Sequence, residues 1–226
     1  MEKRTLFDQK ADTYDDFCHM PLGHYVDVIE HNIIGDVARP KQGETAIDLG
    51  CGTGSYATWL YDMGLSVVGI DISQKMLEVA RGKLPNGISF LQTDLSCLPF
   101  ADNTFDLAIC NAVLEFTNDP VAVLREGFRV IKPGGRLVVG CISKDGAWGK
   151  KYAKRGQEDS SSIYSHAQFF TIEDVSNMWL NKPSEVRLGL YVGPDEFQDF
   201  HSAIQLEDRS EEQHQGAGYF VVRWEK

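Results

Sequence analysis

Apolar residues change their spacing near residue 44. Before it they recur every three or four positions; after it they gather into short runs. Phe7, Ala11, Tyr14 and Cys18 share one helical face, so residues 1–20 predict a short amphipathic helix. Tyr25, Val28, Ile29, Ile33 and Val37 follow Pro21 and predict a second helix over 21–38, closed by Pro40 and Gly43. From Glu44, strands are predicted at Thr45–Leu49, Ser66–Ile70, Ile88–Gln92, Phe105–Cys110 and Arg136–Ile142. Helices alternate with them at Ser55–Met63, at Ser73–Gly82 with Ser73 as N-cap, and at Pro120–Val130 with proline in the first turn. Pro85-Asn86-Gly87 and Pro133-Gly134-Gly135 read as turns. Strands that are apolar almost throughout and separated by helices imply a parallel sheet covered on both faces.

After Ser143 the rhythm breaks. Residues 144–170 are polar, with a serine run at Ser160–Ser162, and precede a helix at Thr171–Leu180 with Thr171 as N-cap. Val186–Val192 and Tyr219–Trp224 predict two last strands, joined by an acidic link over 194–215 with a short helix around Glu196–Ile204. No repeat or boundary divides the chain, so residues 1–226 are expected to form a single domain. Compact domains rarely keep long structureless loops without a use, so 144–170 reads as an insertion over the ligand face.

Charge and cysteine usage narrow the function. The net charge of −11 argues against a nucleic-acid partner, which needs excess Lys and Arg. Lys144, Lys150, Lys151, Lys154 and Arg155 form a basic patch, read as a solvated loop. The five cysteines are scattered without a Cys-x-x-Cys pair, so neither a disulfide framework nor a metal site is expected. Cys110 and Cys141 sit in apolar runs and read as core residues. No signal-type segment or bilayer-length apolar run is seen, so a reduced, cytoplasmic setting is expected. His19, His24 and His31 lack metal-binding helical spacing and read as surface or pocket-rim residues.

The chemistry centres on Ala46-Ile47-Asp48-Leu49-Gly50-Cys51-Gly52-Thr53-Gly54-Ser55. A buried strand that breaks into a glycine turn and then a helix brings bare backbone and a positive helix end to a ligand. The spacing is Asp-x-Gly-x-Gly-x-Gly, not the Gly-x-Gly-x-x-Gly of dinucleotide binders. Asp71 ends the second strand about 20 residues on, where a carboxylate can accept both ribose hydroxyls of a nucleoside. Asp94 ends the third strand, where it can accept from an exocyclic amine while the Leu95 N–H donates to a ring nitrogen. Plainer alternatives are a tight strand–helix connection, an Asp71 that caps the next helix, and ordinary turn chemistry at Asp94. Three acidic strand ends, Asp48, Asp71 and Asp94, make an acidic crevice that suits a cationic nucleoside.

These residues resemble the class I S-adenosylmethionine-dependent methyltransferases, close to the ubiquinone/menaquinone-biosynthesis-like group of small-molecule enzymes. The matching pieces are AIDLGCGTGS (46–55), VVGIDIS (67–73) with Met76, DLSCLPFADNTFD (94–106), LAICNAVLEF (107–116) and VIKPGGRL (130–137). The opening Phe7-Asp8-x-x-Ala11-x-x-Tyr14-Asp15 is similar to that group's N-terminal lid helix. The resemblance implies a Rossmann-like α/β fold, seven strands in the order 3-2-1-4-5-7-6 with strand 7 antiparallel. It implies S-adenosylmethionine as methyl donor, S-adenosylhomocysteine as product and a small-molecule acceptor. Gly50, Cys51, Gly52 and Gly54 would approach the methionine part and ribose. Asp48 would orient the ammonium, Asp71 hold the ribose, Ile72 and Met76 flank the adenine, and Asp94 and Leu95 read its edge. Asn111 would offer its carbonyl to the ammonium, and Tyr14 would close over the cofactor. The run Leu114-Glu115-Phe116 departs from the His or second aromatic that many relatives carry there.

Methyl transfer from a sulfonium needs alignment and exclusion of water, and a base only when the acceptor must lose a proton. His19, Glu115, His166 and Tyr152 are candidate bases, and Trp148 with Tyr152 a candidate aromatic wall. The same residue types also serve as rim and packing groups. Two alternatives remain in the sequence. A nicotinamide-dependent oxidoreductase predicts the Gly-x-Gly-x-x-Gly turn that is missing. A non-catalytic binding or regulatory protein predicts a pocket sealed or too shallow for an acceptor.

Overall fold

The computed structural model describes residues 3–83, 86–179, 182–211 and 216–226. Helix α1 (Lys3–Lys10) and a 3-10 segment (Ala11–Asp16) lead into α2 (Pro21–Ala38). The chain continues as β1 (Thr45–Leu49), α3 (Ser55–Asp62), β2 (Ser66–Asp71), α4 (Gln74–Lys83), β3 (Ile88–Gln92) and β4 (Phe105–Asn111). Next come a 3-10 turn (Leu114–Phe116), α5 (Pro120–Val130), β5 (Ile131–Ile142), α6 (Ala147–Glu158) and a 3-10 turn (Ile163–His166). It ends with α7 (Ile172–Asn177), β6 (Glu185–Gly189), α8 (Phe200–Glu211) and β7 (Tyr219–Glu225).

The seven strands form one sheet in the order β3-β2-β1-β4-β5-β7-β6. The first five are parallel, and β7 runs antiparallel to both β5 and β6. The unbroken apolar runs follow from two-sided burial. Along β4, Leu107 and Ile109 enter one core with Tyr25 and Ile34 of α2, while Ala108 and Cys110 enter the other with Val123 and Leu124 of α5. In β7, Tyr219 and Val221 face the first core and Phe220 and Val222 the second. A side-chain period of two in a sheet sandwiched between helices demands an apolar residue at every position.

Several expected elements shift. The first predicted helix divides into α1 and a 3-10 segment. Strand β5 begins at Ile131, and Pro133-Gly134-Gly135 is an irregularity within it; the pairing with β4 jumps from Phe105 opposite Ile131 to Leu107 opposite Arg136. The basic patch lies mostly on a helix, α6, rather than a loop, and Lys151 pairs with Asp195 at 2.7 Å. Helix α8 begins later than the helix expected around Glu196–Ile204. It is tied to α2 by Glu207, which accepts from the Tyr25 hydroxyl at 2.5 Å and the Tyr191 N–H at 2.9 Å. Strand β6 stops at Gly189, short of Val192. Thr171 caps α7 through a reciprocal bond pair with Asp174; Leu180, like Pro85 and the end of the 194–215 link, lies outside the described residues. Among the described residues no helix is long and apolar enough to cross a membrane.

Buried Arg136 of β5 joins the two ends of the layer beneath. It donates to the Ala38 and Arg39 carbonyls at the end of α2 and forms a two-bonded pair with Glu44, at 2.9 and 2.7 Å. Arg136→Met leaves those carbonyls and the Glu44 carboxylate without their donor. Urea denaturation is expected to show a loss of about 3 kcal/mol; a loss within experimental error would mean that water replaces the guanidinium fully.

Candidate active site

The C-terminal tips of β1, β2 and β4 meet where the strand order reverses, between β1 and β4. In open parallel sheets ligands bind at that edge. The turn after β1 is locked to β2 by the Gly50 and Cys51 N–H groups, which both donate to the Ile70 carbonyl at 2.7 and 2.8 Å. Asp71 then braces turn and helix together. Its Oδ2 accepts from the Gly52 N–H at 2.9 Å and its Oδ1 from the Ser73 N–H at 2.8 Å. Ser73 is the cap of α4, its hydroxyl oxygen accepting from the Met76 N–H at 3.1 Å, while Asp71 accepts from Ser73 and forms a wall of the site; each Asp71 oxygen keeps a second lone pair for a ligand.

Gly50 and Gly52 have φ of 78° and 52°, a region open to glycine at little cost. A Cβ on Gly52 would meet nothing within 4 Å, so this backbone faces open space. Gly54 is different: its Cβ would press on Ala80 of α4 at 3.2 Å, which makes it a helix-packing residue.

A cavity of about 610 Å³ opens at this edge. Tyr14, Gly50, Gly52, Asp71, Ile72, Met76, Asp94, Leu95 and Asn111 line it, nine of the twelve residues expected at the cofactor. Asp48, Cys51 and Gly54 are buried beside it and do not line it. Ile72 is 42% exposed, an apolar face available to a flat ring. Asp94 Oδ1 accepts from the Ser96 N–H at 2.8 Å, which shapes the turn that presents Leu95.

A further part of the lining was not picked as site residues in the sequence: Ala112, Val113, Phe116, Thr117, Asn118 and Asp119, with Phe7 from α1. One signal in that stretch was readable, the aromatic Phe116 in an otherwise short connection. Ala112 sits at φ 50°, rare for a residue with a Cβ, and its N–H donates to the Gly140 carbonyl at 2.9 Å. Such backbone strain clusters at functional sites.

Three carboxyls are held in or beside this edge without a Lys or Arg partner among the described residues. Burial, and then the charge of nearby Asp71, push Asp48 up to about 7. Its Oδ2 is buried with no partner among the described residues. Burial pushes Glu115 up to about 7; its Oε1 accepts from the Ile142 N–H at 2.7 Å and its Oε2 is unpartnered. Burial also pushes Glu30 up to about 7, and its Oε2 accepts from the Asn111 side-chain amide at 3.0 Å.

The structure sorts the candidate bases. His166 lines the cavity. Glu115 does not; it is fully buried and turned toward β5. His19 is exposed and off the wall. His31, read as a rim residue, stacks on Tyr56 at 4.1 Å. Trp148 is a buried anchor, its indole donating to the Val192 carbonyl at 3.0 Å. Tyr152 stacks on Tyr164 at 4.1 Å.

The N-terminal segment crosses the mouth and is fastened at two points. The Ser73 hydroxyl donates to Asp8 at 2.6 Å. The Thr53 hydroxyl donates to Asp15 at 2.6 Å, and Lys83 pairs with Asp15 at 2.5 Å. Just before the first of them, Phe7 meets Phe116 edge-on at 5.1 Å.

Residues 47–139 match the family model described as a methyltransferase domain. An uncharacterized protein of Methanocaldococcus jannaschii is 30% identical over 76% of this chain and 78% of its own length. The ubiquinone/menaquinone biosynthesis C-methyltransferase UbiE of Haemophilus ducreyi is 39% identical over 67% of this chain and 58% of its own. The chain spans about half the length of the demethylmenaquinone methyltransferases that it matches. A crystal structure of a SAM-dependent methyltransferase from Thermotoga maritima superposes with a TM-score of 0.77 at 21% identity, covering 98% of both chains. The chain belongs to the class I S-adenosylmethionine-dependent methyltransferases, in the UbiE-like group.

Gly140 of β5 leaves the gap that the Tyr219 hydroxyl and Asn111 Oδ1 occupy; an added Cβ would overlap both. Gly140→Ala is expected to destabilise by roughly 1–3 kcal/mol. Gly82→Ala, in α4 with open space around the new methyl, is expected to stabilise by about 0.5–1 kcal/mol. Chemical denaturation of both variants checks the pair, and equal effects would contradict the packing account.

Proposed function

We propose that this chain binds S-adenosylmethionine in the 610 Å³ cavity and catalyses in-line methyl transfer to a small-molecule acceptor. The carrying observation is the joining of the Gly50 and Gly52 turn, Asp71 and Leu95 around one cavity. The residues fit a cationic adenosyl ligand. The cavity size suits a nucleoside joined to an amino acid. Buried Asp48, with an oxygen that lacks a partner among the described residues, supplies a negative charge behind the glycine turn.

When bound, S-adenosylmethionine supplies an activated methyl group and leaves as S-adenosylhomocysteine. Asp71 takes the ribose hydroxyls on its remaining lone pairs. Ile72 and Met76 flank the adenine, and Asp94 with the Leu95 N–H reads its edge. The Asn111 carbonyl and Asp48 hold the ammonium, with Gly50, Cys51, Gly52 and Gly54 shaping the turn. Tyr14 and Phe7, on a segment fastened through Asp8 and Asp15, act as a lid that excludes water. His166, from the 144–170 segment, bounds the acceptor side. The names of the relatives favour a small molecule over nucleic acid, as does the net charge of −11. The wide cavity disfavours a binding-only protein with a sealed pocket. A reduced, cytoplasmic setting suits five free cysteines.

Asp71→Asn keeps the size of the side chain and removes its charge. Calorimetry with S-adenosylhomocysteine is expected to show at least roughly tenfold weaker binding, about 1.4 kcal/mol. Unchanged affinity would remove Asp71 from the ribose role.

Raised above the ordinary carboxylate range, Asp48 is neutral below about pH 7 and charged above it. The charged form attracts an ammonium, so ligand affinity is expected to rise between about pH 6 and 7.5. The same shift makes the folded state bind protons more tightly than the unfolded chain, so this group's contribution to stability falls over pH 4–7. Asp48→Asn should flatten the affinity profile in calorimetry at stepped pH; a slope surviving in that variant would assign it to another group.

A further inference from the structure

Part of the cavity lining is left over when the cofactor residues are set aside. Phe7, Val113, Phe116 and Val123 give it apolar surface. Thr117, Asn118, Asp119 and His166 add polar groups to the same lining. No Lys or Arg lines the cavity among the described residues. The three lining carboxylates already serve backbone donors. Asp71 takes the Gly52 and Ser73 N–H groups, Asp94 takes that of Ser96, and Asp119 takes that of Ala122 at 2.9 Å as the cap of α5. His166 differs. It is the one histidine that lines the cavity among the described residues, and its side chain makes no hydrogen bond or ion pair among them. A neutral imidazole without a partner keeps the lone pair of one ring nitrogen open to a ligand.

The turn that carries His166 is fastened to the rest of the lining. The Gln168 N–H, two residues on, donates to the Glu115 carbonyl at 2.8 Å. Glu115 itself accepts from the Ile142 N–H of β5 through Oε1 at 2.7 Å. Phe116, the next residue, meets Tyr164 of the His166 turn at 6.2 Å and Phe7 at 5.1 Å. Two joined 3-10 turns thus bring Phe116 and His166 to one cavity. His166 is also exposed, so a proton that it takes can pass to bulk water.

These groups select among acceptors. A carboxylate or phosphate would meet three carboxylates and no Lys or Arg. An ammonium would bring a second cation up to the sulfonium, and passing its proton to His166 would not remove that charge from the cavity. An uncharged hydroxyl leaves an oxyanion instead, which imidazolium and sulfonium both attract. Aryl hydroxyls lose a proton at about pH 10, within reach of an imidazole base, and their rings suit the Phe7 and Phe116 rings.

We propose, resting on the S-adenosylmethionine reading above, that the acceptor is an uncharged aryl hydroxyl and that His166 is the base that takes its proton. A ring nitrogen of His166 takes the proton from Ar–OH to leave Ar–O⁻. An oxygen lone pair forms the O–CH₃ bond as the methyl–sulfur bond breaks. That bond pair stays on sulfur as the neutral thioether. The product leaves as Ar–O–CH₃, and the imidazolium gives its proton to water.

Tritium transfer from S-adenosylmethionine, measured on the full chain, tests both parts. The acceptors are 4-propylphenol, 4-nitrophenol, phenethylamine and 3-phenylpropionate, in mildly alkaline buffer where the nitrophenol is already ionised. Wild type is expected to favour 4-propylphenol over the amine and the acid by at least about tenfold in kcat/KM. His166→Gln should slow 4-propylphenol about a hundredfold or more in kcat, with KM within about threefold. The ionised nitrophenol needs no base and should slow less than about tenfold. Calorimetry should show S-adenosylhomocysteine affinity retained in that variant. Equal slowing of the two phenols, or none, overturns His166 as the base, and so does a loss of S-adenosylhomocysteine affinity confined to the variant. A wild type that methylates neither phenol, or prefers the amine or the acid, overturns the acceptor class. Failure of S-adenosylhomocysteine to bind wild type would overturn the cofactor reading instead.

Discussion

One carboxylate sets the geometry at the sheet edge. Asp71 accepts from the Gly52 N–H of the first turn and from the Ser73 N–H at the start of α4. Charge-assisted bonds of this kind are short and strong. They hold a left-handed glycine turn that would otherwise be free to move. Gly52 can then present bare backbone to open space. The Ile70 carbonyl, taking both the Gly50 and Cys51 N–H groups, completes the lock from β2.

That arrangement concentrates negative charge where few cations balance it. Asp48, Glu30 and Glu115 all lie under or beside the cavity, each raised by burial. Desolvated carboxylates cost stability unless a partner arrives. Among the described residues Arg136 pairs with Glu44, Arg129 with Glu126 and Asp102, and Lys132 with Asp106, while His31 is the positive group that acts on Glu30 and Asp48. A ligand with positive charge offsets the cost, so burial of these acids favours binding over stability of the free chain.

Much of this was readable along the chain. Strands β1 and β3 and helix α5 have the bounds that the apolar runs and flanking turn residues predict. Eight residues picked from strand ends and the helix after β2 line one cavity, because parallel strands deliver their C-terminal tips to one edge, and Tyr14 joins them from the N-terminal segment. What escaped has local reasons. Pro133-Gly134-Gly135 looks like a stop, yet β5 pairs across it with a register jump. Helix α6 carries Lys, Arg and Gly where a helix would normally show an apolar stripe, with Trp148 and Gly149 its buried residues. Glu30 sits among the polar positions of α2, where spacing predicts solvent.

The order of apolar runs, glycine turns and strand-end acids by itself determined the strands, their two-sided burial and the glycine turn at the sheet edge. Strands and turns depend on residues close in sequence, and their shared edge on the rule that carries every parallel strand in one direction. Several long-range side-chain pairings around the cavity were decided only in three dimensions. Glu30 and Asn111 are 81 positions apart, Tyr219 and Asn111 are 108 apart, and the Phe7–Phe116 contact joins the N-terminus to a mid-chain turn. No local pattern encodes pairings of that length, because they arise when helices pack across a finished sheet.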